Sequence, residues 1–259
     1  MMTPGTLLND LATDLKLGIL FCTRLPLRDP GPVGSGDIAR ASWALPVAGA
    51  LVGVIGALVY WIAFRSGLPA LPAAALALAA TLIATGALHE DGLADTADGF
   101  GGGKDREQKL AIMRDSRVGT YGACALILSL ILRWSALVVI AAPLQVALAL
   151  IAAHAAARAT LPAFLHFVPQ ARADGLAAAA GRPPPASVVI AGLLGVIALG
   201  IALGPLAAIV ALLLLLAASA FMAWLCTRQV GGQTGDVLGA LEQVGEILIL
   251  MVAVTYSAK

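Results

Sequence analysis

Ser187 to Cys226 reads SVVIAGLLGVIALGIALGPLAAIVALLLLLAASAFMAWLC, an apolar run without one charged side chain. A helix crosses the hydrocarbon core of a bilayer in about 20 apolar residues, so the run holds either two crossings joined at Gly204-Pro205 or one long segment kinked there. The rest of the chain carries the same signal. Of its 259 residues 60% are hydrophobic and 12% charged, and the mean hydropathy is +0.93, the profile of a polytopic membrane protein rather than a soluble domain. Measured the same way, candidate crossings are Trp43–Phe64, Leu68–Leu88, Val118–Ile140, Pro143–Leu165, Ser187–Leu203, Pro205–Cys226 and Val244–Ser257. The fifth and seventh are short. The expected fold is therefore an all-α membrane bundle of six or seven transmembrane helices, one domain over residues 1–259. Ala, Gly and Leu dominate the segments, which suits helices whose backbones approach closely.

Ahead of the crossings, residues 7–25 alternate apolar positions with Asp10, Asp14 and Lys16, the pattern of an amphipathic helix lying on the membrane and ending near Pro26. Met1 to Thr6 lacks the basic start of a signal peptide. Cys22, Cys124 and Cys226 are isolated from one another and from histidine at ligand spacing, so they read as small apolar side chains rather than a disulfide or zinc site. A net charge of +1 leaves no basic face for nucleic acid.

Lys and Arg favour the cytoplasmic side of short loops, and they set the orientation. With a cytoplasmic amino terminus, Lys16, Arg24, Arg28 and Arg40, the 89–117 loop, the 166–186 loop with Arg172 and Arg182, and the 227–243 loop with Arg228 share one face, leaving Arg65 and Lys259 on the other. Every long polar loop then converges on one face, which favours a single site built from several loops over a pathway through the membrane.

The 89–117 loop opens with HEDGLADTADGFGGG, His89 to Gly103. If helix continues past Leu88, Asp91, Asp95 and Asp98 fall at i, i+4 and i+7, within about 60° of one another. Three carboxylates on one stripe repel unless a cation neutralises them, and an all-oxygen set suits Mg2+ or Mn2+ rather than zinc. A solvated helix end is the plain alternative. Against it, Gly99 and Gly101–Gly103 are followed by Lys104 and Arg106, which together suit an anion. Met113-Arg114-Asp115-Ser116-Arg117 adds two guanidinium groups and a fourth carboxylate. In the last loop Gly231-Gly232-Gln233-Thr234-Gly235-Asp236 repeats the glycine-plus-acid theme, and Glu242 and Glu246 follow. Glu246 lies in or beside an apolar segment, so it is either functional or half of a buried ion pair with Arg133 or Arg158. His154 and His166 have no evident charged neighbours and read as packing or interface residues.

The stretch from Thr85 to Tyr121, with HEDGLADTADGFGGG, KDREQKLAIMRDSR and VGTYG, closely resembles the cobalamin synthase family of adenosylcobinamide-GDP ribazoletransferases. GGQTGDVLGALEQVGEILIL resembles that family's second signature and Phe21-Cys22-Thr23-Arg24-Leu25-Pro26-Leu27 its amino-terminal one, while residues 126–185 match mainly in hydropathy. The resemblance implies a Mg2+-dependent phosphotransfer at the bacterial inner membrane. The 3'-hydroxyl of α-ribazole, or of its 5'-phosphate, attacks the cobinamide-linked phosphorus of adenosylcobinamide-GDP and GMP leaves. Asp91, Asp95 and Asp98 are then expected on the metal, with Asp115 or Glu90 completing the set. Lys104, Arg114 and Arg117 are expected on the diphosphate, and Thr234, Asp236, Glu242 and Glu246 on substrate. His89 or an aspartate is expected as the base. Expected partners are the small-molecule substrates, the lipid bilayer, and a second copy of the chain or other enzymes of the pathway. Asp95-Thr96-Ala97-Asp98-Gly99 also echoes the DxxDG core of CDP-alcohol phosphotransferases, although Gly101–Gly103 stands where an Ala-Arg pair belongs. A divalent-cation or corrinoid transporter is the third reading, disfavoured because most of the acids sit at one interface.

Overall fold

The computed structural model describes residues 4–28, 31, 33–34 and 36–257. Met1–Thr3 and Lys259, whose charge entered the orientation argument, lie outside them. The described residues form helices α1 (Pro4–Cys22), α2 (Asp37–Ala41), α3 (Leu45–Arg65), α4 (Ala70–Thr85), α5 (Leu88–Gly102), α6 (Arg106–Ile112), α7 (Thr120–Ile140), α8 (Pro143–Ala159), α9 (Leu161–Phe167), α10 (Leu176–Ala180), α11 (Pro185–Leu203), α12 (Pro205–Val230) and α13 (Gly235–Ser257). No strand occurs among them.

Six spans are long and apolar enough to cross a membrane, and the bent pair α4 and α5 makes a seventh when counted together. The Gly204-Pro205 question resolves as two crossings, α11 and α12, separated by Gly204 at φ 78°. In α8 and α13, 72% of the spanning window is buried, against 22% in α11 and α12, so the first pair forms the axis of the bundle and the second faces lipid. Small residues permit the close packing that the composition implies. A Cβ on Gly53 of α3 would lie 2.6 Å from the Ile151 Cα of α8.

Several expected boundaries move. The amino-terminal helix stops at Cys22, four residues before Pro26, and residues 23–28 run on without helix. Its Asp14 is buried and tied to Arg40 at 2.5 Å and to the Trp43 indole at 3.1 Å, so this helix docks on the bundle as well as presenting a polar face. The expected 227–243 loop shrinks to Gly231–Thr234, because α12 runs on to Val230 and α13 starts at Gly235 rather than Val244. The helical repeat continues through the charged residues, since Glu242 and Glu246 find partners inside the bundle. All three cysteines are free.

The 89–117 loop is also mostly helix. α4 ends in a Schellman motif, with the Gly86 N–H donating to Ile83 O at 3.3 Å and the Ala87 N–H to Leu82 O at 3.0 Å. Gly86 (φ 65°) and Ala87 (φ 56°) are both left-handed, and α5 restarts at 88° to α4. α5 thus runs nearly perpendicular to the crossings, over one end of the bundle. Asp105 then caps α6 by accepting from the Gln108 N–H at 2.9 Å.

Gly86→Ala should lower stability by about 1–2 kcal/mol, from the left-handed backbone alone. The new Cβ would also collide with the Arg24 side chain. A thermal melt of the detergent-solubilised protein checks this, with a fall in melting temperature expected.

Candidate active site

Within α5, adjacent side chains serve two environments. Asp91 is exposed, Asp95 half-buried and Asp98 buried along one stripe, while His89 and Glu90 turn into the bundle. The stripe meets the start of α13, where the backbones nearly touch. A Cβ on Gly92 would lie 2.8 Å from Asp236 O and 3.1 Å from the Gly239 Cα, so only glycine fits the crossing. Asp236, in the first turn of α13, accepts from the Thr234 hydroxyl at 3.1 Å and from Arg172 Nη2 at 3.3 Å. Thr234 itself accepts from the Val237 N–H at 3.3 Å, the geometry of an N-cap. The two glycine-plus-acid motifs, some 140 residues apart, therefore form one cluster.

Electrostatics bear this out. Burial, followed by the charges of Asp91, Asp236 and Asp98, pushes the Asp95 carboxyl up to about 7, with Arg172 opposing. A carboxyl in that state accepts either a proton or a metal cation, and the oxygen-only donor set fits a hard divalent ion.

Asp98 is engaged differently. Its Oδ2 accepts from the Gly119 N–H at 2.7 Å and its Oδ1 from the Gly122 N–H at 2.9 Å, so it caps α7 and fixes that helix to α5. Asp115 is paired with Arg117 on the exposed turn before α7, and that hydrogen-bonded guanidinium holds its carboxyl down to about 2. Arg114 Nη2 donates to both carboxylate oxygens of Asp174, at 2.7 and 2.8 Å, and Lys104 is exposed. The structure brings Asp91, Asp95, Asp98 and Asp236 into one electrostatic neighbourhood. It engages Asp115, Arg114 and Arg117 with other partners.

Beneath the cluster lies a buried ionic network. Arg133 of α7, 1% exposed, donates to Glu90 of α5 and Glu246 of α13, each at 3.0 Å. Arg158 of α8, equally buried, donates to Glu246 at 3.0 Å, contacts Glu242 and lies 3.3 Å from His89 Nδ1. Gln243 donates to Glu242 at 3.0 Å and accepts from Ser129 at 3.1 Å. Glu246 pairs with both arginines that the sequence offered. Glu242 and Glu246, expected on substrate, are instead committed to the interior, because a carboxylate inside a membrane bundle needs a counter-ion there. His154 corrects its packing reading, since its Nδ1 contacts Glu246 and lies 3.1 Å from Arg158. His166 donates from Nδ1 to Pro183 O at 2.7 Å and packs edge-on against Phe167.

The sequence missed Arg172 as a site residue, because the 166–186 loop carries no motif. Its only sequence signal was a basic residue on the face shared with the acids. An apolar cleft of about 410 Å3 between α8, α9, α11 and α12 is lined by no titratable side chain and lies apart from this chemistry.

A family model described as cobalamin-5-phosphate synthase matches residues 14–254. The chain is 60% identical to an adenosylcobinamide-GDP ribazoletransferase of Bradyrhizobium diazoefficiens, over 98% of each chain. It is 55% identical to one of Mesorhizobium japonicum, over 97% of this chain and 95% of the relative, and 40% identical to one of Ralstonia nicotianae, over 97% and 98%. No solved structure matches.

Arg133→Ala leaves two buried carboxylates short of a counter-ion, so a destabilisation of about 3–5 kcal/mol is expected in thermal or denaturant unfolding. Arg133→Lys should recover only part of it, since an ammonium cannot fork between Glu90 and Glu246.

Proposed function

The chain belongs to the cobalamin-5-phosphate synthase family, and on that premise we propose that its reaction is carried by the carboxylates that α5 and α13 bring to one end of the bundle. The protein transfers the cobinamide-phosphate moiety of adenosylcobinamide-GDP to the 3'-hydroxyl of α-ribazole or its 5'-phosphate. The hydroxyl oxygen bonds to the cobinamide-linked phosphorus, the bridging P–O bond breaks, and the electron pair leaves with GMP. The hydroxyl proton goes to a base.

Phosphoryl transfer asks a protein mainly for positioning and charge neutralisation. Asp91, Asp95 and Asp236 are the residues that would hold Mg2+, which supplies neutralisation of the phosphate charge when bound. Asp98 acts on this set through the α7 amides it accepts, keeping α5 and α7 in register. His89 faces Arg158 inside the bundle, so the hydroxyl proton falls to a carboxylate of the cluster. Lys104 is exposed for an anionic substrate, whereas Arg114 and Arg117 are committed to Asp174 and Asp115. The bundle sits in the bacterial cytoplasmic membrane with this end in the cytoplasm, as the placement of Lys and Arg in the loops implies.

The observation that carries the reading is the meeting of Asp91 and Asp95 with Asp236 across the Gly92–Gly239 crossing. Purified protein in lipid nanodiscs, given adenosylcobinamide-GDP, α-ribazole and Mg2+, should release GMP. Chelation should abolish release, and Asp95→Asn should lower it by about 10²-fold or more. Release of CMP from a CDP-activated lipid, or metal flux into proteoliposomes without turnover, would sink the assignment.

A pH dependence follows from Asp95. Its carboxyl holds a proton up to about pH 7, and a metal ligand has to be deprotonated. Mn2+ affinity, read by electron paramagnetic resonance, should rise by up to about tenfold per pH unit below pH 7 and level off above it. Asp95→Asn should flatten that slope.

A further inference from the structure

Arg172 lies in the segment between α9 and α10, and the backbone around it is fixed rather than loose. The Gln233 N–H donates to Pro169 O at 2.8 Å and the Ala171 N–H to Gln233 O at 2.9 Å, a short parallel bridge to the turn before α13. Arg106 fastens the same corner, donating to Ala171 O at 2.7 Å and Val230 O at 2.8 Å. Arg172 is thereby delivered to the acid cluster with a side chain only 14% exposed.

Its hydrogen bonding there is incomplete. Nη2 reaches Asp236 at 3.3 Å and Nε lies 3.8 Å from Asp174, while Nη1 is buried with no hydrogen-bond partner. Gln233, 1% exposed, has both side-chain amide atoms buried and unpartnered, and so is the Thr96 hydroxyl. Thr96 lies one helical turn beyond Gly92, on the face of α5 that packs against the start of α13. Buried polar groups left without partners are rare and costly, and an unpaired guanidinium nitrogen on a side chain held against Asp236 points to an anionic ligand.

Lys104 is exposed, and four other cations of this end are differently engaged. Arg106 holds carbonyls, Lys109 bonds Gln229, Arg114 pairs with Asp174 and Arg117 pairs with Asp115. Resting on the reading above that the site handles a nucleotide-activated diphosphate, we propose that Arg172 contacts that diphosphate, with Gln233 beside it, as the anion-binding wall opposite the metal-binding carboxylates. Asp236 is the hinge of the arrangement. Were Asp236 to hold a divalent cation, the Arg172 guanidinium would be without its nearest acid partner and its fork would be free for phosphate, the geometry a guanidinium matches best.

The test measures binding of guanosine diphosphate with Mg2+ to the full chain in lipid nanodiscs by calorimetry, together with steady-state kinetics. Arg172→Ala should weaken guanosine diphosphate binding at least about tenfold, and Gln233→Ala by less, with melting temperatures near that of the unaltered protein. Arg172→Lys should raise the KM for adenosylcobinamide-GDP while leaving that for α-ribazole unchanged. A well-folded Arg172→Ala protein that binds guanosine diphosphate undiminished would overturn the proposal. If Arg172→Ala does not fold, equal rises of both KM values in Arg172→Lys overturn it by showing a structural role. Binding that depends on Arg172 in a protein that turns over no adenosylcobinamide-GDP would uphold the anion wall and defeat the assigned reaction, so the two failures are distinguishable.

Discussion

Glu246 lies within a membrane helix, and a carboxylate there has to be met by positive charge. Arg133 and Arg158 meet it from α7 and α8, and the same two guanidinium groups reach Glu90 on α5 and Glu242 one turn earlier on α13. Four helices are thus tied at one buried point. Such a network adds little net stability compared with apolar packing, because desolvation offsets most of the Coulomb attraction. What it does supply is geometry, since any relative shift of these helices strands a charge. Glu90 is the link to the site, as it pins the first turn of a helix whose next residue, Asp91, belongs to the acid cluster.

That network also explains why α5 and α13 can cross at two glycines. Gly92 and Gly239 bring the backbones close enough for acids from distant parts of the chain to share one field. Without an anchor, four carboxylates at this crossing would push the helices apart, and Arg172 alone is too little charge to hold them. The attraction that holds the junction closed lies below it, in the low-dielectric interior where it is least screened.

Much of this was legible in the sequence. The crossings follow from apolar length, the Asp91, Asp95 and Asp98 stripe from helical period, and the partners of Glu246 from the short supply of cations in apolar segments. The unread parts are those where distant contacts decide. Gly86 marks a helix end, but nothing local requires Ala87 to take the left-handed conformation as well; the bend comes from what α5 packs against. Asp98 has the residue type and spacing of a metal ligand, and only the arrival of Gly119 and Gly122 makes it a cap. His154 looks isolated because its charged neighbours lie 4 residues on in α8 and, across the bundle, in α13. Arg172 carried no signal beyond its charge, since its placement depends on backbone hydrogen bonds between two loops.

The bend between α4 and α5 is the step that turns a membrane bundle into a site. Asp98 lies 13 residues past Thr85, so a straight helix would carry it about 20 Å beyond the end of α4, away from Asp236 and from α7. Turning by 88° spends that length sideways instead. The first turn of α5 then overlies the buried arginines, its middle meets the start of α13 and its end reaches the start of α7. Successive residues on a helix point about 100° apart, so Glu90 can face the interior while Asp91 faces water. One perpendicular helix at the membrane boundary therefore joins an interior that demands paired charge to a surface that can hold unpaired carboxylates.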